Sequence, residues 1–214
     1  MRYLIVCGGK IDKEFGLNEI KTDGIDAIIA ADSGMDFLYE NGVTPDIIVG
    51  DFDSTKTNAL EYYERKGQTE IRRLNPVKDD TDTEYAIRLA ISEGARSIVV
   101  LGATGSRIDH VLGNISLLGI GLESGTDIRI IDTNNRIRMA DKPVAIEKSA
   151  QYGRFISLIA LTDDNEVSLK GFKYPVTDYS FDRFTSLGIS NEIVDDHALI
   201  DIHRGKFIII ESKD

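Results

Sequence analysis

Residues 46–54 read Asp46-Ile47-Ile48-Val49-Gly50-Asp51-Phe52-Asp53-Ser54. The β-branched run Ile47-Ile48-Val49 favours a strand. It is continuously apolar rather than alternating, so the strand is covered on both faces, as in a parallel sheet. The run then stops at a glycine and two carboxylates. The same change recurs along the chain. Ile28-Ile29-Ala30-Ala31 gives way to Asp32-Ser33-Gly34, and Ile98-Val99-Val100-Leu101 gives way to Gly102-Ala103-Thr104-Gly105-Ser106-Arg107. Asp79-Asp80-Thr81-Asp82 opens a helical pattern carrying Ala86, Leu89 and Ala90.

Working outward, the apolar runs predict strands over 3–7, 26–31, 46–49 and 97–101, and the periodic segments predict helices over 35–40, 56–66, 83–93 and 109–122. Such alternation gives βαβ units and a parallel sheet. The pattern changes after about Asn135. Short alternating segments over 154–161, 166–169, 198–203 and 206–210 follow, punctuated by Gly153, Gly171, Gly188 and Gly205. They predict a small antiparallel sheet or sandwich. His203-Arg204-Gly205-Lys206 reads as a hairpin turn. The boundary between the halves falls near 134–141.

The 214 residues, 42% hydrophobic and 29% charged, have ordinary globular composition. No apolar run approaches the roughly 18 residues that span a bilayer, so no membrane association is expected. Met1 to Gly9 reads as a first buried strand rather than a signal peptide. Cys7 is the one cysteine, which excludes an internal disulfide and fits a cytoplasmic protein. The formal net charge of -11, with no Lys/Arg cluster, argues against nucleic acid as a partner.

In an open parallel sheet, ligands bind outside the carboxyl ends of the strands. One edge would therefore collect Asp32, Asp51, Asp53, the Asp79–Asp82 group and the Gly102–Arg107 turn. Asp51 and Asp53, two apart in an extended segment, point the same way. Neighbouring carboxylates repel unless a cation lies between them, and Mg²⁺ takes one or two carboxylates plus substrate phosphates. The plainer alternative is a polar turn in which Asp53 caps the next helix. Thr81-x-x-Glu84 has the form of a capping box. Acids also favour a helix N-terminus, but three carboxylates in the four residues 79–82 exceed what one cap needs. The Gly102–Arg107 turn would offer backbone N–H groups to a phosphate, with Arg107 adding a charge-assisted fork. It is not a P-loop, since G-x-x-x-x-G-K-[ST] does not occur. His110 reads as a helix-start residue or a base, and His197 and His203 as structural.

In this order, Ala31-Asp32-Ser33-Gly34, Gly50-Asp51-Phe52-Asp53-Ser54, Asp79-Asp80-Thr81-Asp82 and Gly105-Ser106-Arg107-Ile108-Asp109-His110 resemble the thiamine pyrophosphokinase family. Ser186-Leu187-Gly188-Ile189-Ser190-Asn191-Glu192 resembles that family's substrate motif. The likeness spans nearly the whole chain. It implies a Rossmann-like Mg-ATP-binding catalytic domain over 1–135 and a β-sandwich domain over 136–214 for thiamine binding and dimerisation. It implies that thiamine hydroxyl attacks the β-phosphorus of ATP, giving thiamine diphosphate and AMP.

The resemblance further assigns Mg²⁺ to Asp51, Asp53 and Asp82. Asp32, Ser33, Gly34, Thr104, Gly105 and Arg107 fall to the nucleotide, and Asp109, Tyr174, Ser190 and Asn191 to thiamine. Asp82 and Asp109 are both candidates for a base. The chain departs from the family in two places. Many members carry a tryptophan where Gly171-Phe172-Lys173-Tyr174 stands, whereas this chain has no tryptophan, leaving stacking on the cationic ring to Tyr174 or Phe172. Ser106 replaces a second glycine before the arginine. The resemblance implies a homodimer through the β-rich half. The rings of Phe172, Tyr174, Tyr179, Phe181 and Phe184 suit an interface, or alternatively the sandwich interior. Two other readings of the motifs are a pyrophosphokinase for another hydroxymethyl heterocycle, such as a pterin, and a Mg-ATP-sensing module without turnover.

Overall fold

A computed structural model describes residues 1–52, 58–75 and 80–214. Contacts divide the chain into two units, Met1–Thr133 and Asn134–Asp214. In the first, the order is β1 (Arg2–Val6), α1 (Lys13–Ile20), β2 (Ala27–Ala31), α2 (Gly34–Glu40), β3 (Ile47–Gly50), α3 (Ala59–Lys66), β4 (Glu70–Arg73), α4 (Asp82–Ser92), β5 (Ser97–Leu101), α5 (Ile108–Ser124) and β6 (Asp127–Ile131). Every strand pairing among these is parallel, in the order β6-β5-β1-β2-β3-β4. The chain runs outward from β1 to β4 and then returns to the far side of β1 as β5. That reversal puts a topological switch point between β1 and β5, where open α/β sheets open a crevice at their carboxyl edge. Leu4, Val6, Ala30, Ile48, Val99 and Leu101 pack with Met35, Leu38, Ala59 and Tyr63 from the helices. The covered sheet is why these strands read as unbroken apolar runs.

The second unit has β7 (Asn135–Ala140), β8 (Val144–Glu147), a 3-10 turn (Lys148–Ala150), β9 (Phe155–Ala160), β10 (Glu166–Lys170), β11 (Val176–Ser180), β12 (Asn191–Glu192), β13 (His197–Arg204) and β14 (Phe207–Ser212). Its strands form two antiparallel layers, β12-β9-β14-β7 and β11-β10-β13-β8. Ile156, Leu158, Phe207 and Ile209 of one layer share a core with Val167, Leu169, Ile200 and Ile202 of the other. This is the sandwich the alternating segments predict.

Three expectations need correction or division. The turn at 203–206 is tight, with Gly205 at φ +90°, but it does not make a hairpin. β13 pairs with β8 and β10, while β14 pairs with β7 and β9. Turn chemistry fixes the reversal of the chain, but burial fixes the partners. Crossing between layers lets Ile200 and Ile202 face Phe207 and Ile209 across one core. The five aromatic residues divide between the two roles. Phe172 and Phe181 are buried in the sandwich, whereas Tyr174 is 63% and Phe184 90% exposed, with Tyr179 at 37%. α3 begins at Ala59, and the two residues before Asn58 that were expected to be helical lie outside the described ones.

A buried charge network also sits in this unit. The Glu211 side chain is 0% exposed and accepts from Arg136 at 2.8 and 2.6 Å, from Arg138 at 2.7 Å and from the Tyr152 backbone N–H at 3.0 Å. A buried carboxylate persists only when its lone pairs are satisfied this fully.

Candidate active site

Three carboxylates converge at the carboxyl edge of the parallel sheet. Asp32 follows β2, Asp51 follows β3, and Asp82 is the first residue of α4. One carboxylate oxygen from each lies within 4.8 Å of the other two, and all three residues are half-buried. Asp53 and Asp79 lie outside the described residues. The backbone is bent to achieve the convergence. Asp32 has φ +48° and Phe52 φ +67°, a region that side-chain-bearing residues rarely adopt. Such strain concentrates at functional sites. The Asp32 N–H donates to the Val49 carbonyl at 2.8 Å, locking the two strand ends together. Thr81 caps α4, accepting from the Glu84 N–H at 3.2 Å, and so fixes where Asp82 emerges. Carboxylate oxygens from three separate elements form a hard donor set that suits a hard divalent cation.

Ser33 caps α2 without a side-chain hydrogen bond to it. Gly34 is buried, and a Cβ there would meet the Val6 carbonyl oxygen at 1.9 Å. Close packing of α2 on β1 therefore accounts for this glycine.

The turn after β5 is held from two sides. Thr104 Oγ1 donates to Asp132 Oδ2 at 2.8 Å, and Asn114 Nδ2 on α5 donates to the Ala103 carbonyl at 2.8 Å. Gly105 is exposed with open space around it. Arg107 and Asp109 bind each other, Nη2 to Oδ2 at 2.6 Å and Nε to Oδ1 at 3.3 Å, with both side chains about two-thirds exposed. The hydrogen bond from Arg107 holds the Asp109 carboxyl below its ordinary range, so Asp109 is a weakened proton acceptor while so paired. His110 is exposed in the first turn of α5. His197 pairs with Glu147 at 2.5 Å, and His203 lies 3.0 Å from Ser168 Oγ within the second unit.

Sequence reasoning missed Gly8, Gly9, Asn114 and Asp132. Gly8 and Gly9 leave the end of β1, beside the switch point. A Cβ on Gly8 would overlap Ser33 Oγ at 1.9 Å, and one on Gly9 would lie 2.2 Å from the Gly102 carbonyl oxygen. This turn therefore runs between the acidic group and the 102–107 turn. The pair Gly8-Gly9 after the first apolar run was the available signal. Nothing local marks Asn114 or Asp132, because their partners lie 11 and 28 residues away. Cys7 is buried with Sγ 3.4 Å from Thr83 Oγ1, and burial pushes its thiol up to about 11, so it is inert.

In the second unit, Tyr174, Ser190 and Asn191 come together. Asn191 hydrogen-bonds the main chain of Tyr174. Ser190 is exposed at φ +60°, and its N–H donates to Ser157 Oγ at 3.0 Å. Phe172 is 3% exposed and packed in the core, so of the two rings Tyr174 is the accessible one.

Fold and carboxyl-edge site together define an α/β enzyme with a two-layer antiparallel second unit. Residues 21–130 match the family described as "Thiamin pyrophosphokinase, catalytic domain". Residues 143–207 match "Thiamin pyrophosphokinase, vitamin B1 binding domain". The chain is 33% identical over 187 residues to thiamine pyrophosphokinase of Bacillus subtilis (strain 168), covering 87% of each sequence. The crystal structure of thiamine pyrophosphokinase from Bacillus subtilis matches with a TM-score of 0.89 at 31% identity, covering 100% of both chains. That of thiamin pyrophosphokinase from Geobacillus thermodenitrificans matches with a TM-score of 0.87 at 28% identity, over 100% of this chain and 98% of the other. The chain belongs to the thiamin pyrophosphokinase family.

Proposed function

We propose that this protein transfers the pyrophosphoryl group of ATP to the hydroxyl of thiamine. The alcohol oxygen attacks the β-phosphorus, the bond from that phosphorus to the α–β bridging oxygen breaks, and AMP leaves. The hydroxyl proton passes to a carboxylate or to water. The single observation that carries the reading is the convergence of Asp32, Asp51 and Asp82 within 4.8 Å at the sheet edge, in a chain of this family.

Asp51 and Asp82, with Asp53, would hold Mg²⁺ on the phosphates, and Asp32 completes the acidic group. When bound, Mg²⁺ neutralises phosphate charge and orients the transferring group, which is most of what phosphoryl-type transfer needs. The chain's own groups do the rest. Ser33 and Gly34 form the wall beside Asp32. Thr104, fixed by Asp132, sets the turn whose Gly105 backbone faces the phosphates. Arg107 supplies a guanidinium fork. Asp82 and Asp109 are the two candidate bases, Asp109 being free to accept a proton once Arg107 turns from it to the phosphates. Tyr174 offers an exposed ring to the thiamine cation, with Ser190 beside it.

We further read the protein as a cytoplasmic homodimer joined through the second unit. Among the described residues, no helix is long and apolar enough to cross a membrane. The test of the function is nucleotide product analysis. AMP should form only when thiamine, ATP and Mg²⁺ are all present, and a pterin alcohol should not replace thiamine. AMP formation without an added alcohol, or none with thiamine, would refute the reading.

A further inference from the structure

Asn191 is assigned to thiamine by resemblance, yet its side chain is directed elsewhere. Oδ1 accepts from the Tyr174 N–H at 3.1 Å and from the Glu192 N–H at 2.9 Å, while Nδ2 donates to the Tyr174 carbonyl at 2.9 Å. Both main-chain polar groups of Tyr174 are thus held by one side chain. Asn191 is 7% exposed, whereas Tyr174 is 63% exposed. A buried amide with three such bonds has little left for a ligand.

The neighbouring contacts stop short of Tyr174 itself. Lys173 N–H donates to the Glu192 carbonyl at 2.8 Å, and Val194 N–H to that of Gly171 at 2.9 Å. The Glu192 carboxylate is gripped by Arg154 and Lys173, each at 2.9 Å. Pro175 follows and has no N–H to contribute. The ring itself already faces a cation, with Lys173 Nζ 5.7 Å from its centroid.

We propose that Asn191 is a positioning residue for the thiamine-ring platform. It fixes the main chain from which the Tyr174 ring projects and does not itself touch thiamine. The inference rests on the function proposed above, in which Tyr174 carries the cationic ring. It explains why an asparagine is needed. The site requires an acceptor for two N–H groups and a donor for one carbonyl on a short, uncharged side chain. Aspartate, nearly the same size, would turn the donor into an acceptor facing the Tyr174 carbonyl.

A double-mutant cycle on the full-length enzyme tests this, with initial rates of AMP release varied over thiamine and over ATP. Tyr174→Ala should raise the thiamine KM about tenfold, the order a lost cation–π contact carries. Asn191→Asp should raise it comparably, leaving kcat and the ATP KM within about twofold. Adding Asn191→Asp to Tyr174→Ala should then change little, because both remove the same interaction. Effects that multiply in the double variant would mean that Asn191 contacts thiamine independently, overturning the inference and leaving the Tyr174 platform intact. An unchanged thiamine KM in Asn191→Asp would overturn it equally. An unchanged thiamine KM in Tyr174→Ala would overturn inference and platform together. If Asn191→Asp does not fold, Asn191→Ser, which keeps a hydroxyl, takes its place in the same cycle with the same outcomes.

Discussion

Gly9 and Gly102 meet backbone to backbone: the Gly9 N–H donates to the Gly102 carbonyl at 2.9 Å, and a Cβ on Gly9 would lie 2.2 Å from that same oxygen. The contact ties the turn after β1 to the turn after β5, across the switch point. A methyl group at Gly9 would press on backbone atoms, which cannot rotate away. Gly9→Ala should therefore lower stability by about 1–3 kcal/mol, read as an earlier chemical-unfolding midpoint. Gly105→Ala, where a Cβ has nothing within 4 Å, should leave that midpoint almost unchanged. Equal effects from the two substitutions would contradict this account of the edge.

The acidic group gives the opposite separation of stability from activity. Asp51→Asn and Asp82→Asn remove carboxylates that repel their neighbours, so the unfolding midpoint should hold or rise in the absence of divalent cation. Turnover should fall about 10²-fold or more, since a bound metal contributes several kcal/mol of charge stabilisation. Near-normal activity of either variant at saturating Mg²⁺ would remove that residue from the metal site.

The edge was legible because its signals are local. Each apolar run ends in an acid or a glycine, and β5 falls on the span its Ile98-Val99-Val100-Leu101 run predicts. β4 was not legible. Glu-Ile-Arg-Arg holds one aliphatic residue, and as an edge strand it needs no second covered face. α1 was missed because Gly16 interrupts a weak pattern, though Asp12 caps it by accepting from the Phe15 N–H. β7, with Arg136 and Arg138 among its inward positions, looks too polar for a core strand. Glu211, 73 and 75 residues away, accepts from both arginines and accounts for their place in the strand.

That network carries a pH signature. Burial alone would raise the Glu211 carboxyl, but hydrogen bonds from Arg136, the Tyr152 N–H and Arg138 outweigh it and hold the group below its usual value. A depressed folded-state value stabilises the protein above the ordinary glutamate value of about 4.3. The contribution is lost as pH falls through the lower folded value. Glu211→Gln should cost about 3–5 kcal/mol near neutrality by leaving two arginines without their carboxylate. It should also flatten the fall of unfolding free energy as pH drops below the ordinary glutamate value. A variant whose acid dependence matches the parent would show that Glu211 does not contribute.

The proposed homodimer would use exposed apolar side chains of the second unit. Tyr174, Phe184, Leu187 and Ile189 are 47–90% exposed, all within sixteen positions of the second unit. Exposed apolar side chains gathered into one patch mark interaction surfaces. Sedimentation equilibrium should give the mass of two chains, and Phe184→Glu with Leu187→Glu should give the mass of one. A parent protein that sediments as a single chain would refute the homodimer.

Pyrophosphoryl transfer to thiamine is tested most directly by the stoichiometry of its products. Purified protein given ATP, Mg²⁺ and thiamine should produce AMP and thiamine diphosphate in equal amounts, resolved by anion-exchange chromatography, with neither appearing when thiamine is omitted. Equal amounts of ADP and thiamine monophosphate would contradict it.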